Sequence, residues 1–211
     1  MYLSARELTK ALKNGSLICT PFPCSIGSTS IDLRLDSIDE AKVWDFERLK
    51  AHNRDHGFPE NELRVASLNY KNIATLYLRD LDSDTKKSVF WRHDELVLKP
   101  GAFALWQTKE IVGTPEIGAK FICFIDGKST RARAGLVIHL TAPTIHAGWS
   151  GNVALELANL GPFDLVLKEN EIIAQITVAR ITSSPQANLS KAGSVTYGQG
   201  DVTGTQKKNG R

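Results

Sequence analysis

The densest run of reactive side chains is Asp126-Gly127-Lys128-Ser129-Thr130-Arg131-Ala132-Arg133-Ala134-Gly135. Three cations, two hydroxyls and the main-chain N–H groups of a turn suit a phosphate. Gly127-Lys128-Ser129 has the ending of a P-loop, but the position that needs the first glycine is Ile122. A helix must also follow a P-loop, and Gly135-Leu136-Val137-Ile138 reads as strand. P-loop chemistry is therefore rejected. A solvated basic turn has the same composition, so both that reading and phosphate binding stay open.

The second segment is Val153-Ala154-Leu155-Glu156-Leu157-Ala158-Asn159. In a strand, Val153, Leu155 and Leu157 share one face, and Ala154, Glu156 and Ala158 share the other. Two alanines leave space above the carboxylate. In a cramped, partly dry setting such a group has a raised pKa and serves as a proton shuttle. A surface glutamate beside small neighbours gives the same pattern.

Two histidines follow the basic run. His139 alternates with Ile138 and Leu140 and reads as a satisfied structural histidine. His146, in the loop before Gly148-Trp149-Ser150-Gly151, is the better candidate for contact with a polar ligand. The glycine-rich tail, Tyr197-Gly198-Gln199-Gly200-Asp201-Val202-Thr203-Gly204-Thr205, suits a lid over a bound nucleotide, although unstructured tails share its composition.

Metal chemistry finds little support. Cys19 and Cys24 are spaced C-x4-C with no second pair, and His52 and His56 have no third ligand at helical spacing. A structural zinc needs four ligands. The zinc-deaminase signature, H-x-E with a later P-C-x-x-C, is absent.

The elements that must position these residues follow from periodicity. The chain has 211 residues, enough for one substantial domain or two very small ones. Its 42% hydrophobic and 23% charged content is that of a globular protein. Apolar runs stay well short of the roughly 18 residues of a membrane span. The opening MYLSARELTKALKNG lacks a signal-peptide core, and three cysteines read as reduced thiols, so a cytoplasmic location is expected. A net charge of +3 and a pI near 8.7 are too slight for a protein that wraps nucleic acid.

Residues 4–14 are expected to form a helix, with Ser4 as N-cap, Glu7 as its capping-box partner, Leu3 and Leu8 as a hydrophobic staple, and Gly15 after the last turn. Ile31, Leu33 and Leu35 then alternate as a half-buried strand. Residues 38–64 read as an irregular polar excursion with one helical turn near 44–51. Leu76 and Leu78, then Leu96 and Leu98, resume the alternation, and Phe103, Leu105, Ile111 and Val112 fall in short pieces. Further strands are expected at 121–125, 135–141, 152–158, 163–167 and 172–181. Many short strands separated by turn signals mean an all-β barrel or jelly-roll-like domain over residues 1–183, with 184–211 as a flexible tail.

Taken together, the four segments resemble the dCTP deaminase family, within the deaminase and dUTPase superfamily. The resemblance begins at the N-terminal helix and Gly27-Ser28-Thr29-Ser30-Ile31-Asp32-Leu33-Arg34-Leu35. It resumes at Leu98-Lys99-Pro100-Gly101 and runs to Ile181. Its most specific stretches are Asp126–Gly135, Gly148–Gly151, and Leu155-Glu156-Leu157 with Asn159.

The resemblance implies a homotrimer of distorted, dUTPase-like β-barrel subunits with active sites at subunit interfaces. It also implies that Glu156 is the general base, with Ser129 and Arg133 at the reacting base. Lys128 and Thr130 would meet phosphate, Leu140 and Ala142 would read the pyrimidine through main-chain groups, and His146 and Trp149 would line the substrate. Tyr197 and Gln199 would belong to a C-terminal lid. The family uses no zinc, and magnesium (Mg2+) arrives with the triphosphate.

Two positions depart from the family pattern. His146 replaces an aspartate that holds the deoxyribose 3′-hydroxyl, and Thr144 replaces an arginine that reaches a neighbouring subunit's triphosphate. The lysine before the tyrosine of the tail is Thr196 here. Deamination of dCTP to dUTP leads. A dUTP diphosphatase, a bifunctional enzyme, and a non-catalytic nucleotide-binding regulator are the alternatives.

Overall fold

The computed structural model describes residues 1–64 and 78–183. The first helix forms where the capping residues place it, over Ala5–Lys13 (α1). The Ser4 backbone N–H donates to Glu7 Oε2 at 3.0 Å, which stops the chain from fraying at its first turn. Leu3 and Leu8 are buried, and Leu12 packs against the same core. Gly15 follows with φ +72°, the left-handed geometry that ends a helix.

The rest of the described chain is mainly β, as expected. The strands are β1 (Ile18–Thr20), β2 (Ser30–Arg34), β3 (Lys42–Trp44), β4 (Leu78–Asp80), β5 (Val89–Arg92), β6 (Glu95–Leu98) and β7 (Phe103–Gly113). They continue with β8 (Phe121–Gly127), β9 (Leu136–Val137), β10 (Thr144–Ile145), β11 (Ser150–Asn159), β12 (Leu165–Lys168) and β13 (Ile172–Arg180). The largest sheet runs β4-β3-β7-β11-β9, with β1 also on β7. A second runs β10-β8-β13-β2 and a third β12-β6-β5. Among the described residues these are open sheets, and no ring of strands closes.

The core lies between the two larger sheets. Ile31 and Leu33 of β2, Leu35 just after it, Cys123 and Ile125 of β8, and Ile176 and Val178 of β13 pack in one core with Trp106, Val153, Leu155 and Leu157 of β7 and β11. Trp106 is fully buried and its indole N–H donates to Ser37 O at 3.0 Å, so its one polar atom is satisfied.

Three expectations need correction. The short pieces at 103–112 are one eleven-residue strand, β7. Its alternation is hidden because Gln107, Thr108 and Glu110 are polar yet buried. They lie in a bulge, where β11 advances from Asn152 to Ala154 while β7 runs from Ile111 back to Gln107. The bulge turns Glu110 inward, where its Oε1 takes Arg34 Nε at 2.7 Å and its Oε2 takes the Arg34 backbone N–H at 2.8 Å. This ion pair ties β7 to β2 and so joins the two sheets. It also holds the Arg34 guanidinium above its ordinary pKa.

The excursion 38–64 is not irregular. It holds a short 3₁₀ turn (Ile38–Glu40), β3, and a ten-residue helix, α2 (Phe46–Asp55), capped by Asp45 Oδ1 on the Arg48 N–H at 3.0 Å. Buried Asn53 then donates to the carbonyls of Pro59, Glu60 and Glu62 and folds the following loop back. The expected strand at 135–141 is cut to β9, because the chain leaves the sheet after Val137.

Cys19 and Cys123 are buried, whereas Cys24 is exposed. Burial pushes both buried thiols up to about 12. Two consequences are measurable. At pH 8 a disulfide-exchange reagent should modify one thiol per folded chain, and all three after denaturation. Because these pKa values are raised in the folded state, stability is intact below the ordinary thiol value of 9.0 and falls as pH climbs from there toward 12. Chemical denaturation at stepped alkaline pH should therefore show a decline, reduced in Cys123→Ala.

Candidate active site

β11 presents Glu156 as its alternation demands. Val153, Leu155 and Leu157 point into the core, while Ala154, Glu156 and Ala158 form the half-buried outer face. Across the sheet, Glu156 is paired with Leu105, and Ala158 with Phe103 and Val137. Beyond Val137 the chain crosses this face, and the Leu140 backbone N–H donates to Glu156 Oε2 at 3.0 Å. That bond fixes the carboxylate's orientation. Among the described residues, Oε1 has no hydrogen-bond partner. Leu140 is 56% exposed despite being apolar, and Ala142 is exposed as well.

The outer face continues away from Glu156 to Phe103 and Trp44. There, a groove of about 520 Å³ is lined by Trp44, Phe46, Leu49 and Phe103.

The basic run is a helix of five residues, α3 (Ser129–Arg133), with Lys128 at its N-cap position, where a turn was expected. A helix does follow Gly127, but it is a single short one that returns to strand at Leu136, so the P-loop remains excluded. Ser129, Thr130 and Arg133 are exposed. Lys128 Nζ is held by Asp32 Oδ1 at 2.7 Å, and Arg131 Nη2 by Glu171 Oε1 at 2.7 Å. The Arg133 guanidinium has no partner among the described residues.

Backbone contact sets where α3 sits. Gly135 has φ +92°, and a Cβ there would lie 2.2 Å from Gly161 N. A Cβ on Gly161 would lie 2.2 Å from Ala134 O. Leu160 N–H donates to Gly135 O at 2.9 Å. Asn159, at the end of β11, accepts the Gly161 N–H at 2.9 Å and donates to Leu98 O and Phe163 O at 2.8 and 2.7 Å. The strand that carries Glu156 thus also fixes the segment against which α3 closes.

His146 is exposed after β10. Trp149 was expected to line the substrate, but it is a core residue at 9% exposure. Its ring lies where a Cβ on Gly151 would be, at 2.6 Å, so the indole face is spent on packing. Its backbone N–H donates to His146 O at 3.2 Å and shapes that turn. His139 is not fully satisfied. Its Nδ1 is buried without a partner among the described residues, and its Nε2 lies 3.8 Å from Asp126 Oδ1. Tyr197 and Gln199 lie outside the described residues. Among the described residues, no group of His, Cys, Asp or Glu side chains is placed to hold a metal ion, and no helix is long and apolar enough to cross a membrane.

Sequence reasoning missed Asp32, Glu171 and Gln175 as holders of the α3 cations. For Asp32 and Glu171 the signal was an opposite charge remote in sequence, and the neutral Gln175 gave none.

The architecture has a solved counterpart. A 2′-deoxycytidine 5′-triphosphate deaminase from Agrobacterium tumefaciens shares the fold with a TM-score of 0.54 at 18% identity, over 85% of this chain. This chain spans about half of that one, 47% of its length. In sequence, residues 2–181 match the family described as dCTP deaminase-like. A dCTP deaminase of Shewanella frigidimarina is 30% identical over 186 residues, 87% of this chain and 86% of the relative. A dCTP deaminase of a Marinomonas species is 29% identical over 200 residues, 93% and 92% of the two chains. The fold is a mainly β architecture shared with that solved structure. The chain belongs to the dCTP deaminase-like family.

Gly135→Ala tests the backbone contact. A side chain in left-handed geometry costs about 1–2 kcal/mol before any clash is counted. Urea denaturation should show at least that loss, while Gly57→Ala, also left-handed but with open space around it, should show only the conformational part.

Proposed function

We propose that this protein hydrolyses dCTP to dUTP and ammonia, with Glu156 as the proton-transfer residue. The observation that carries this reading is the Glu156 carboxylate itself. It is half-buried between alanines, one oxygen is oriented by the Leu140 N–H, and the other is unpartnered among the described residues. Membership of a family whose named relatives are dCTP deaminases supports dCTP as the substrate.

Water adds to C4 of the cytosine ring. Glu156 takes a proton from that water as the C–O bond forms, and protonates N3. The resulting tetrahedral carbon expels the 4-amino group as ammonia, again with a proton relayed through Glu156, leaving the uracil carbonyl. One water is consumed and one ammonia is released. Ser129 and Arg133 orient the water and the ring. The main chain around Leu140 and Ala142 reads the pyrimidine edge, His146 lies toward the sugar, and Thr130 lies toward the phosphates. Magnesium belongs to the substrate as its triphosphate complex.

Within one chain, no hydrogen bond or ion pair joins Glu156 to Ser129 or Arg133. Exposed Ser129 and Arg133 suit a shared site, in which α3 of one subunit meets Glu156 of another in a cytoplasmic homotrimer. Light scattering should return about three times the 23.2 kDa chain mass; a purely monomeric species would remove the shared site.

Incubation with dCTP, dUTP and CTP separates the readings. Ammonia from dCTP supports deamination. Pyrophosphate from dUTP would support the diphosphatase, and binding without turnover would support a regulator. Glu156→Gln should lower turnover by about 10²–10⁴-fold, with nucleotide affinity kept within about tenfold. Undiminished turnover would remove Glu156 from its role.

A further inference from the structure

The three cations of the basic run are treated unequally. Asp126 of β8, Gln175 of β13 and Asp32 of β2 lie in one cross-strand row, since Gln175 is in register with both aspartates. Lys128 spans this row, with Nζ 2.7 Å from Asp32 Oδ1 and 3.4 Å from Gln175 Oε1. Both members of the Lys128–Asp32 pair are substantially covered, at 32% and 15% side-chain exposure. Arg131 is drawn to Glu171, just before β13. Arg133 alone of these cations is unpaired among the described residues.

An ammonium held by a carboxylate and an amide oxygen is a poor partner for a phosphate, which must first displace a charge of the same sign. It is instead an anchor. Lys128 occupies the N-cap position of α3, so a fixed Lys128 side chain fixes the residue from which Ser129 projects. On the far side, Gly135 is pressed against Gly161.

We propose that Asp32 is a positioning residue of this site: through Lys128 it pins the start of α3, so that Ser129 and Arg133 reach the substrate in fixed register, and Lys128 acts through that anchor instead of as a phosphate ligand. The proposal rests on the deaminase reading. It adds a residue that makes no substrate contact and reassigns one that the family resemblance places on phosphate.

The test is steady-state ammonia release from dCTP by the full chain and by Asp32→Asn, Lys128→Met and the double variant. Asp32→Asn keeps the side chain's shape, and thermal melting of each variant identifies any that fails to fold. A misplaced α3 should lower kcat by about 10–100-fold in each single variant, with KM within about threefold. The double variant should be no worse than the poorer single one, because both remove one interaction. A raised KM with unchanged kcat in Lys128→Met would make Lys128 a phosphate ligand and overturn the proposal. Additive losses, or an unchanged kcat in Asp32→Asn, would overturn it too. Absence of ammonia from the unsubstituted chain would instead sink the deaminase reading, a result the variants cannot mimic.

Discussion

The side-chain amide of Asn159 is fully buried and spends its N–H and carbonyl groups on main-chain atoms from three places. It donates to Leu98 at the end of β6 and to Phe163 before β12, and it accepts from Gly161. Its own backbone bonds to Gly101 and Ala102, just before β7. A buried amide left without these partners would carry a penalty of about 1–3 kcal/mol for each unsatisfied group. The amide therefore dictates where the chain goes after β11. With Gly161 fixed, Gly135 has one place to dock, and α3 follows from Gly135. Glu156 stands three residues earlier on the same strand. The position of the carboxylate and the position of the helix bearing Ser129 and Arg133 are set by one rigid piece of backbone.

A second buried polar contact does for the whole domain what Asn159 does locally. Glu110 accepts both the side chain and the backbone N–H of Arg34, and Thr108 beside it bonds Glu110 O and the Val153 N–H. Asn152 adds a bond to Thr108 O. These residues fill the bulge where β7 and β11 lose register. Apolar side chains there would have left main-chain groups unpaired inside the protein. The bulge thus connects the sheet that carries Glu156 to the sheet that carries Asp32.

Features governed by local rules were legible in the sequence. α1 is announced by Ser4 and Glu7, and the faces of β11 follow from strict alternation around Glu156. Glu156 stood out because two alanines flank it on the half-buried outer face, a pattern that a surface glutamate beside small neighbours shares. What stayed hidden depends on distant partners. β7 was fragmented on paper because Gln107, Thr108 and Glu110 look exposed until Arg34 and Asn152 are brought beside them. α2 was underestimated because Leu49 and Asn53 are its only buried residues, and one of them is polar. The break after Val137 was invisible because a side chain on β11 captures the Leu140 N–H. Lys128 looked free because Asp32 lies 96 residues away.

The contact between Gly135 and Gly161 joins backbone to backbone, with no side chain between them to yield. One residue more or fewer in either loop would shift α3 along the sheet by a whole peptide unit, and no rotamer change could absorb it. Insertions and deletions among relatives should therefore avoid both loops. Length variation has a more forgiving outlet between β2 and β4, where α2 lies on the outside of the domain and its loop is braced internally by Asn53. A chain of this architecture can grow there without moving either the strand that carries Glu156 or the helix that carries Arg133.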